Sequence, residues 1–182
     1  MKTIADHILD ICQNSIRAES TLIEVMIEEN KYSDIYKITV SDNGKGMDVQ
    51  TLKKAEDPFF TSRKTRKVGM GLALLKQNAE ASNGKIKIES QPGKGTLVKA
   101  TFGRSHFDRP PAGELADTFI LLMIGNENLM LKFSYKTDQG TFEISSSEIR
   151  DTLGGNVVFN RNIRQGISEL IENNLNKIEA EK

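Results

Sequence analysis

The chain has 182 residues, of which 37% are hydrophobic and 27% charged, so it can bury one ordinary globular core. Its 25 basic and 25 acidic residues give a net charge of zero, which argues against a dedicated nucleic-acid binder. Cys12 is the only cysteine, which excludes a disulfide framework and a thiolate metal cluster.

The first residues and the longest apolar run indicate where in the cell the protein is located. The N-terminus reaches the charge of Asp6 too soon for a secretory signal peptide. The longest apolar run, Phe119 to Ile124, is far too short to span a bilayer. We therefore expect a cytoplasmic protein without a membrane partner.

The first predicted element is a helix over 3–18. Apolar residues recur along one of its sides at helical spacing: Ile4, Ile8, Leu9, Cys12 and Ile16. A polar stripe runs along the other side at steps of four, four and three: Asp6, Asp10, Asn14 and Arg17. This helix would bury the first set and present the second.

The rest of the first half alternates strands and helices. Period-2 patterns predict strands, and a turn begins at Asp42 where the second strand ends. A polar, basic loop from Thr61 to Lys67 precedes Gly69. After the first helix, the predicted elements are strands at 22–28 and 36–41, helices at 48–56 and 71–82, and strands at 85–90 and 96–102. Helices on one face of a mostly antiparallel, mixed sheet would make an α+β fold, a two-layer α/β sandwich.

A domain boundary is predicted near 103–113, where Arg109-Pro110-Pro111-Ala112-Gly113 continues neither a strand nor a helix. Beyond it we predict a helix at 114–125, a hairpin of strands at 129–136 and 140–145, a short helix capped by Ser145, and a last helix at 160–178. The chain would then comprise a domain at 1–103 and a small α+β extension at 104–182. The extension is near the lower size limit for its own core, so we expect it to pack on the first domain or on a partner.

Three residues of the polar stripe suit the chemistry of a magnesium–phosphate site. Magnesium prefers oxygen ligands and keeps most of its waters, so the Asn14 carboxamide could complete its shell. Asp10, one turn earlier, could align a water for attack on a phosphate, and Arg17 could contact phosphate oxygens. Taken alone, Asn14 is better explained as a solvated surface residue, and Asp10 could be a surface carboxylate that favours the N-terminal half of a helix.

Two glycine-rich turns are candidates for base and phosphate contacts. Asp42 could accept an exocyclic N–H of adenine, and Gly44 and Gly46 would let the backbone approach a flat base. A plain Asp-Asn-Gly turn is the alternative. Gly69-Met70-Gly71-Leu72 opens a helix whose free N–H groups suit phosphate. The basic loop before it could close over a triphosphate or could simply be solvated.

These residues resemble the ATP-binding superfamily of gyrase, the large heat-shock chaperones, histidine kinases and MutL-type repair proteins. The resemblance covers residues 1–103 through four motifs in order: Asp10 to Ala18, Asp42 to Met47, Asp57 to Thr61 with Gly69 to Leu72, and Gly93 to Thr96. It implies the Bergerat-type ATP-binding fold, with Mg²⁺ on Asn14, Asp42 on adenine and Asp10 as the catalytic base. The ATP contacts that it implies are Asn14, Arg17, Asp42, Gly44, Gly46, Met47, Thr61, Lys64, Gly69, Met70, Gly71, Leu72 and Thr96, the last supporting Asp42.

Two details are similar to the histidine kinases within this superfamily. Arg17 matches their cation three residues after the Asn, and the segment at Pro58-Phe59 resembles their lid. Hydrolysing members carry Glu where this chain has Asp10, which is shorter by one methylene. The chain begins almost at the first motif, so we expect no self-phosphorylation in the usual arrangement.

Four functions remain open, in this order. The first is a histidine-kinase-like domain that transfers the γ-phosphate in trans to a partner protein, and the second is an ATP-driven conformational switch that regulates a partner complex. An inert nucleotide binder and a DNA-linked ATPase rank below them. The segment after Ser105 resembles a stand-alone group of bacterial proteins encoded beside iron-hydrogenase-type subunits, so the partner could be an electron-transfer complex; a homodimer is also left open. His7 and His106 are expected to be packing or surface residues rather than phosphoacceptors.

Overall fold

The computed structural model describes residues 1–55, 71–153 and 161–181. These ranges contain six helices and six strands: α1 (Ile4–Arg17), β1 (Leu22–Asn30), β2 (Ile35–Asp42), α2 (Val49–Ala55), α3 (Gly71–Ala81), β3 (Lys85–Gln91), β4 (Gly95–Gly103), α4 (Leu115–Ile124), β5 (Met130–Lys136), β6 (Thr141–Ser145), α5 (Ser146–Thr152) and α6 (Arg161–Lys177). The elements predicted from the sequence are all present, with ends shifted by a few residues.

The strands form one six-stranded sheet in the order β3-β4-β2-β1-β5-β6. Neighbouring strands run antiparallel except β1 and β5, which are parallel. A parallel pair needs a long crossover connection, and here the chain from β2 to α4 supplies it. The predicted mostly antiparallel, mixed sheet is confirmed.

One face of the sheet carries the core. Ile23, Val25 and Ile27 of β1 are 3% exposed or less, whereas Met26 between them is 44% exposed. Because successive strand residues point to opposite faces, this alternation places one side of the sheet against the helices. The same alternation recurs in β2 and β5. The predicted two-layer sandwich is therefore confirmed as well.

Residues after the predicted boundary join the same sheet. Residues Leu22 to Glu28 of β1 pair in register with Met130 to Lys136 of β5. Phe133 of β5 lies between Phe119 of α4 and Phe142 of β6, with ring centroids 6.2 Å and 6.5 Å away. The 104–182 region thus shares main-chain hydrogen bonds and core contacts with the first half, while its status as a separate domain stays a prediction.

The helices are short. Throughout the described ranges, none combines the length and the hydrophobicity that crossing a membrane requires.

Candidate functional site

Helix α1 carries the first group of site residues, and its start is well defined. Thr3 and Asp6 form a reciprocal capping box, which satisfies two backbone N–H groups at the helix N-terminus. From there Ile4, Ile8 and Cys12 are buried, so the opposite stripe faces outward. The helix therefore presents its polar side chains at fixed spacing.

Asp10, Asn14 and Arg17 form a hydrogen-bonded ladder along that stripe. Arg17 Nη1 donates to Asn14 Oδ1 at 2.6 Å, and Asn14 Nδ2 donates to Asp10 Oδ2 at 3.3 Å. The amide of Asn14 is thereby oriented with its oxygen toward a cation and its nitrogen toward a carboxylate. This carboxamide is exposed, and carboxamide oxygens are among the ligands that hard divalent ions take.

The start of α3 lies against Asp10. A Cβ added to Gly71 would be 1.8 Å from Asp10 Oδ2, so a larger residue at this position would displace the Asp10 carboxylate. The free N–H groups at a helix N-terminus favour anions. The predicted base and the predicted phosphate-binding helix are thus in direct contact.

Asp42, at the end of β2, is surrounded by neutral donors. Its Oδ2 accepts from the Ser15 hydroxyl at 2.6 Å. Its Oδ1 accepts from the Ser20 hydroxyl at 3.2 Å and from the backbone N–H groups of Gly44 at 2.8 Å and Thr96 at 3.3 Å. Since Ser15 follows Asn14 in α1, this bond ties the carboxylate to the helix that carries the ladder.

The charge of Asp42 has no cationic partner among the described residues. Burial raises the pKa of the Cys12 thiol to about 12, and the negative charge of Asp42 contributes to this shift. The orientation of Asp42 is set by hydroxyls and amides, but its charge is not neutralised. Such a carboxylate is a strong acceptor for a further N–H donor.

The glycines after Asp42 allow close approach to neighbouring protein segments. A Cβ on Gly44 would lie 2.5 Å from Ser20 Oγ, and one on Gly46, whose φ is +65°, would lie 1.9 Å from the Gln91 carbonyl oxygen. The loop is also fastened by Lys45, whose N–H donates to Ala18 and whose carbonyl accepts from Gly93. These glycines therefore hold the loop between the α1–β1 turn and the β3–β4 hairpin.

Thr96 and Met47 meet through a third side chain, Ser90. The Met47 N–H donates to Ser90 Oγ at 2.8 Å, and Ser90 Oγ lies 3.0 Å from the Thr96 hydroxyl. Thr96 thus contacts Asp42 through its backbone, while its hydroxyl bonds to Ser90.

The remaining predicted site residues divide into two groups. Leu72 is half-buried and packs against the core. The other four lie outside the described residues: Thr61, Lys64, Gly69 and Met70. No predicted role is contradicted, and the ATP contacts themselves stay predictions.

The two histidines differ in environment. His7 is 1% exposed, and burial lowers its pKa to about 4, so a partner protein cannot reach it without opening the core. His106 lies in the turn after β4, where its Nδ1 accepts the N–H of Asp108 at 3.2 Å.

Sequence reasoning missed Ser15, Ser20 and Ser90. Ser15 had the clearest signal, since it is a polar residue on the side of α1 that carries Ile4, Ile8 and Cys12, and a buried hydroxyl there needs a partner. Ser20 and Ser90 sit in turn and strand contexts where serine is common, so nothing local distinguished them.

Residues 2–106 match the family described as histidine kinase-, DNA gyrase B-, and HSP90-like ATPase. The chain is 39% identical over 89 residues to the signal transduction histidine-protein kinase AtoS of Escherichia coli, covering 48% of this chain and 14% of that protein. It is 37% identical over 96 residues to the sensor protein kinase FleS of Pseudomonas aeruginosa, covering 53% of this chain and 24% of that protein. The chain therefore spans at most about a quarter of the length of these relatives.

Among solved structures, the chain is similar to the N-terminal domain of a DNA repair protein, with a TM-score of 0.54 and 16% identity. The likeness covers 80% of this chain and 52% of that one. At this identity it concerns the fold alone. It extends over more of the chain than residues 2–106, so it includes strands or helices of the C-terminal part.

Proposed function

The chain belongs to the histidine kinase-, DNA gyrase B- and HSP90-like ATPase family, and from this premise we propose that it binds Mg²⁺–ATP and transfers the γ-phosphate in trans to a partner protein. The proposal includes a cytoplasmic location and a role in bacterial signalling. It is built from three parts of the site: Asp42, the ladder on α1 and the start of α3.

The observation that carries the proposal is the unneutralised carboxylate of Asp42. Its hydroxyl and amide donors hold it in one orientation, and no described cation competes for it. An exocyclic amino group of adenine would donate to Oδ2, which accepts only from Ser15 among the described residues. Guanine carries a carbonyl oxygen at that position, which would face the carboxylate acceptor to acceptor, so GTP should bind poorly.

Asn14 and Arg17 would serve the phosphate end. The Asn14 oxygen would complete the Mg²⁺ shell, and the ion would bridge the phosphates and reduce their charge. Arg17, released from Asn14 by that exchange of cations, would contact phosphate oxygens instead. The N-terminus of α3 beside Asp10 would receive a further phosphate.

In the proposed transfer, a nucleophilic side chain of the partner attacks the γ-phosphorus. The bond from phosphorus to the β–γ bridging oxygen breaks, and ADP leaves with the electron pair. This chain's residues orient and neutralise the phosphates, and the partner supplies the acceptor atom. The relatives described as a histidine-protein kinase and a sensor protein kinase support this reaction class.

An ATP-hydrolysing switch is the second candidate, and a hydrogen-bond path favours it. Thr21 donates its N–H to Asn43 Oδ1 at 2.9 Å, and its carbonyl accepts the N–H of Met130 at 2.9 Å. Thr21 thus hydrogen-bonds both to the turn that follows Asp42 and to the first residue of β5. A change in this turn on nucleotide binding could reach the C-terminal strands, and Asp10 would orient the attacking water.

The decisive experiment follows γ-labelled ATP with Mg²⁺ on the purified protein. We expect the wild-type protein to bind ATP and leave it intact when alone, because the acceptor is on the partner. Release of inorganic phosphate that is lost in Asp10→Ala would instead establish the switch.

Binding is tested separately with Asn14→Ala, which should abolish the magnesium-dependent part of ATP affinity while the fold is retained. Asn176→Ala, in the exposed part of α6, is the matched control and should bind as the wild type does. Equal magnesium dependence in Asn14→Ala and wild type would remove Asn14 from the metal site.

A further inference from the structure

We propose that His7, through its hydrogen bond to Asn78, is a positioning residue that sets helix α3 against helix α1 in the register needed for phosphate binding. This inference rests on the proposed function, since it concerns the phosphate end of the same site. His7 itself touches neither nucleotide nor metal in the proposed arrangement.

His7 is the most deeply buried titratable side chain on α1 apart from Cys12. Asn78 Nδ2 and His7 Nε2 are 2.9 Å apart, and Asn78 is on α3. The other ring nitrogen, Nδ1, is buried and has no partner among the described residues. With Nε2 accepting from the Asn78 amide, the ring is the neutral tautomer that carries its proton on Nδ1.

A polar pair at this place is costly, so packing alone does not account for it. Leu75 and Ala79, the neighbours of Asn78 on α3, are fully buried, and Ile4, Ile8 and Ile11 line the same region of α1. A buried polar group without a full set of hydrogen bonds costs about 1–3 kcal/mol. Two apolar side chains would fill the space without that cost. Here His7 is buried and Asn78 is half-buried. Polar residues at helix interfaces specify helix register in other proteins.

Register matters here because the predicted phosphate end lies about one turn further along α1 and about two turns further along α3. The two helices run in opposite directions: His7 contacts Asn78, and Asp10, three residues later, contacts Gly71, seven residues earlier on α3. Asn14 follows one turn beyond Asp10. Across the described residues, the His7–Asn78 pair is the only side-chain hydrogen bond that joins α1 to α3. A slip by one helical turn would move the N-terminus of α3 by about 5 Å from the ladder.

The adenine end lies elsewhere on α1. Asp42 is tied to the helix at Ser15, two turns beyond His7, and to Thr96 of β4. Changing the His7–Asn78 pair should therefore weaken the phosphate-dependent part of nucleotide affinity and leave the adenosine-dependent part alone. A general loss of stability would instead weaken the phosphate-dependent and the adenosine-dependent parts of the affinity alike.

The test measures the dissociation constants of Mg²⁺–ATP and of AMP on four proteins: wild type, His7→Gln, His7→Phe and the double variant His7→Phe/Asn78→Leu. His7→Gln keeps an acceptor for Asn78. The double variant replaces both partners with apolar groups, which removes the unsatisfied amide and should restore thermal stability. It is the control for folding.

We expect His7→Phe and the double variant to lose about tenfold or more in Mg²⁺–ATP affinity with AMP affinity unchanged, and His7→Gln to recover most of the loss. Recovery of both stability and Mg²⁺–ATP affinity in the double variant would overturn the proposal, because packing would then suffice. An equal loss of AMP and Mg²⁺–ATP affinity in His7→Phe would overturn it as well. A wild-type protein that binds Mg²⁺–ATP no better than AMP would refute the proposed function itself, which is a distinct outcome.

Discussion

Two carboxylates lie at opposite ends of the same pair of strands, and their surroundings differ. Asp42 ends β2, and Glu29 lies near the end of β1 opposite Tyr36 of β2, about 20 Å away along the strand. Asp42 accepts only from hydroxyls and backbone amides. Glu29, whose side chain is 1% exposed, accepts from Arg104 Nε at 2.6 Å, from the Tyr135 hydroxyl at 3.0 Å and from the backbone N–H of Glu181 at 3.1 Å.

The difference separates the proposed binding group, Asp42, from a structural one, Glu29. At Glu29 the negative charge is neutralised by Arg104, and nearby Arg109 pairs with Glu181 and lies 4.7 Å from the centre of the Tyr36 ring. This cluster ties β1, β2, β5 and the residues after α6 together. At Asp42 the geometry is equally well defined, but the charge remains available to a ligand.

Glu29→Ala should give the largest effect of the substitutions considered. It leaves the guanidinium of Arg104 without its partner, and breaking a buried ion pair in this way costs about 3–5 kcal/mol of unfolding free energy. Urea denaturation measures the loss. Glu28→Ala is the matched control, since Glu28 faces the other side of the sheet and pairs with Lys37 at the surface; it should cost about 1 kcal/mol or less. Similar losses in both variants would contradict the assigned difference.

Acid should destabilise the fold through His7, which is buried between α1 and α3. Burial lowers the pKa of His7 to about 4 from 6.5; the positive α-amino group also lowers it, and the carboxylate of Asp6 opposes the shift. Between these two pKa values the unfolded chain binds the proton and the folded chain does not. Stability therefore falls as the pH drops from about 6.5 to about 4, by about 3 kcal/mol in total.

At the Glu29 end, burial raises the pKa of Tyr36 and of Tyr135, away from the acid range. Unfolding free energies of wild type and His7→Phe, measured from pH 7.5 to pH 4, test the assignment. The difference between the two proteins should shrink as the pH falls. A difference that is constant with pH would mean that His7 does not titrate in this way.

Asp42→Asn should weaken ATP binding by about 1–3 kcal/mol, the cost of a broken buried polar pair, and change stability less than Glu29→Ala does. Calorimetric titration with ATP and with GTP measures it. Asp117→Asn, an exposed position in the first turn of α4, is the control. Equal affinity for ATP and GTP in the wild-type protein would rule out Asp42 as the adenine-reading group.

Ser15→Ala should have the smallest effect, because Asp42 keeps its other donors. We expect a loss of about 1 kcal/mol in ATP affinity, the usual net value of one hydrogen bond. Ser168→Ala, on α6, is the control, since within the described part of the chain its hydroxyl donates to Glu172 of the same helix and to nothing else. A loss in Ser15→Ala as large as that in Asp42→Asn would mean that Ser15 contacts the ligand itself.

Particular residues show how far sequence reasoning reached. Apolar period together with turn and capping residues predicted the described elements, and the spacing along α1 placed Asp10, Asn14 and Arg17 on one stripe, as the ladder confirms. The alternation of Ile23, Val25 and Ile27 also carries an unused signal. Continued by one step, it places Glu29 on the buried face, where a carboxylate needs a partner. Which partner it has could not be read from the pattern.

The sequence by itself determined the helices, the strands and the order of the nucleotide-binding motifs, because hydrophobic period and turn residues act over a few neighbouring positions. Only the tertiary structure decided that β5 pairs in parallel with β1, that His7 meets Asn78 and that Ser15 and Ser20 donate to Asp42. These contacts join residues that are 22 to 108 positions apart. Such pairings are selected by how whole elements pack, and no local pattern encodes them.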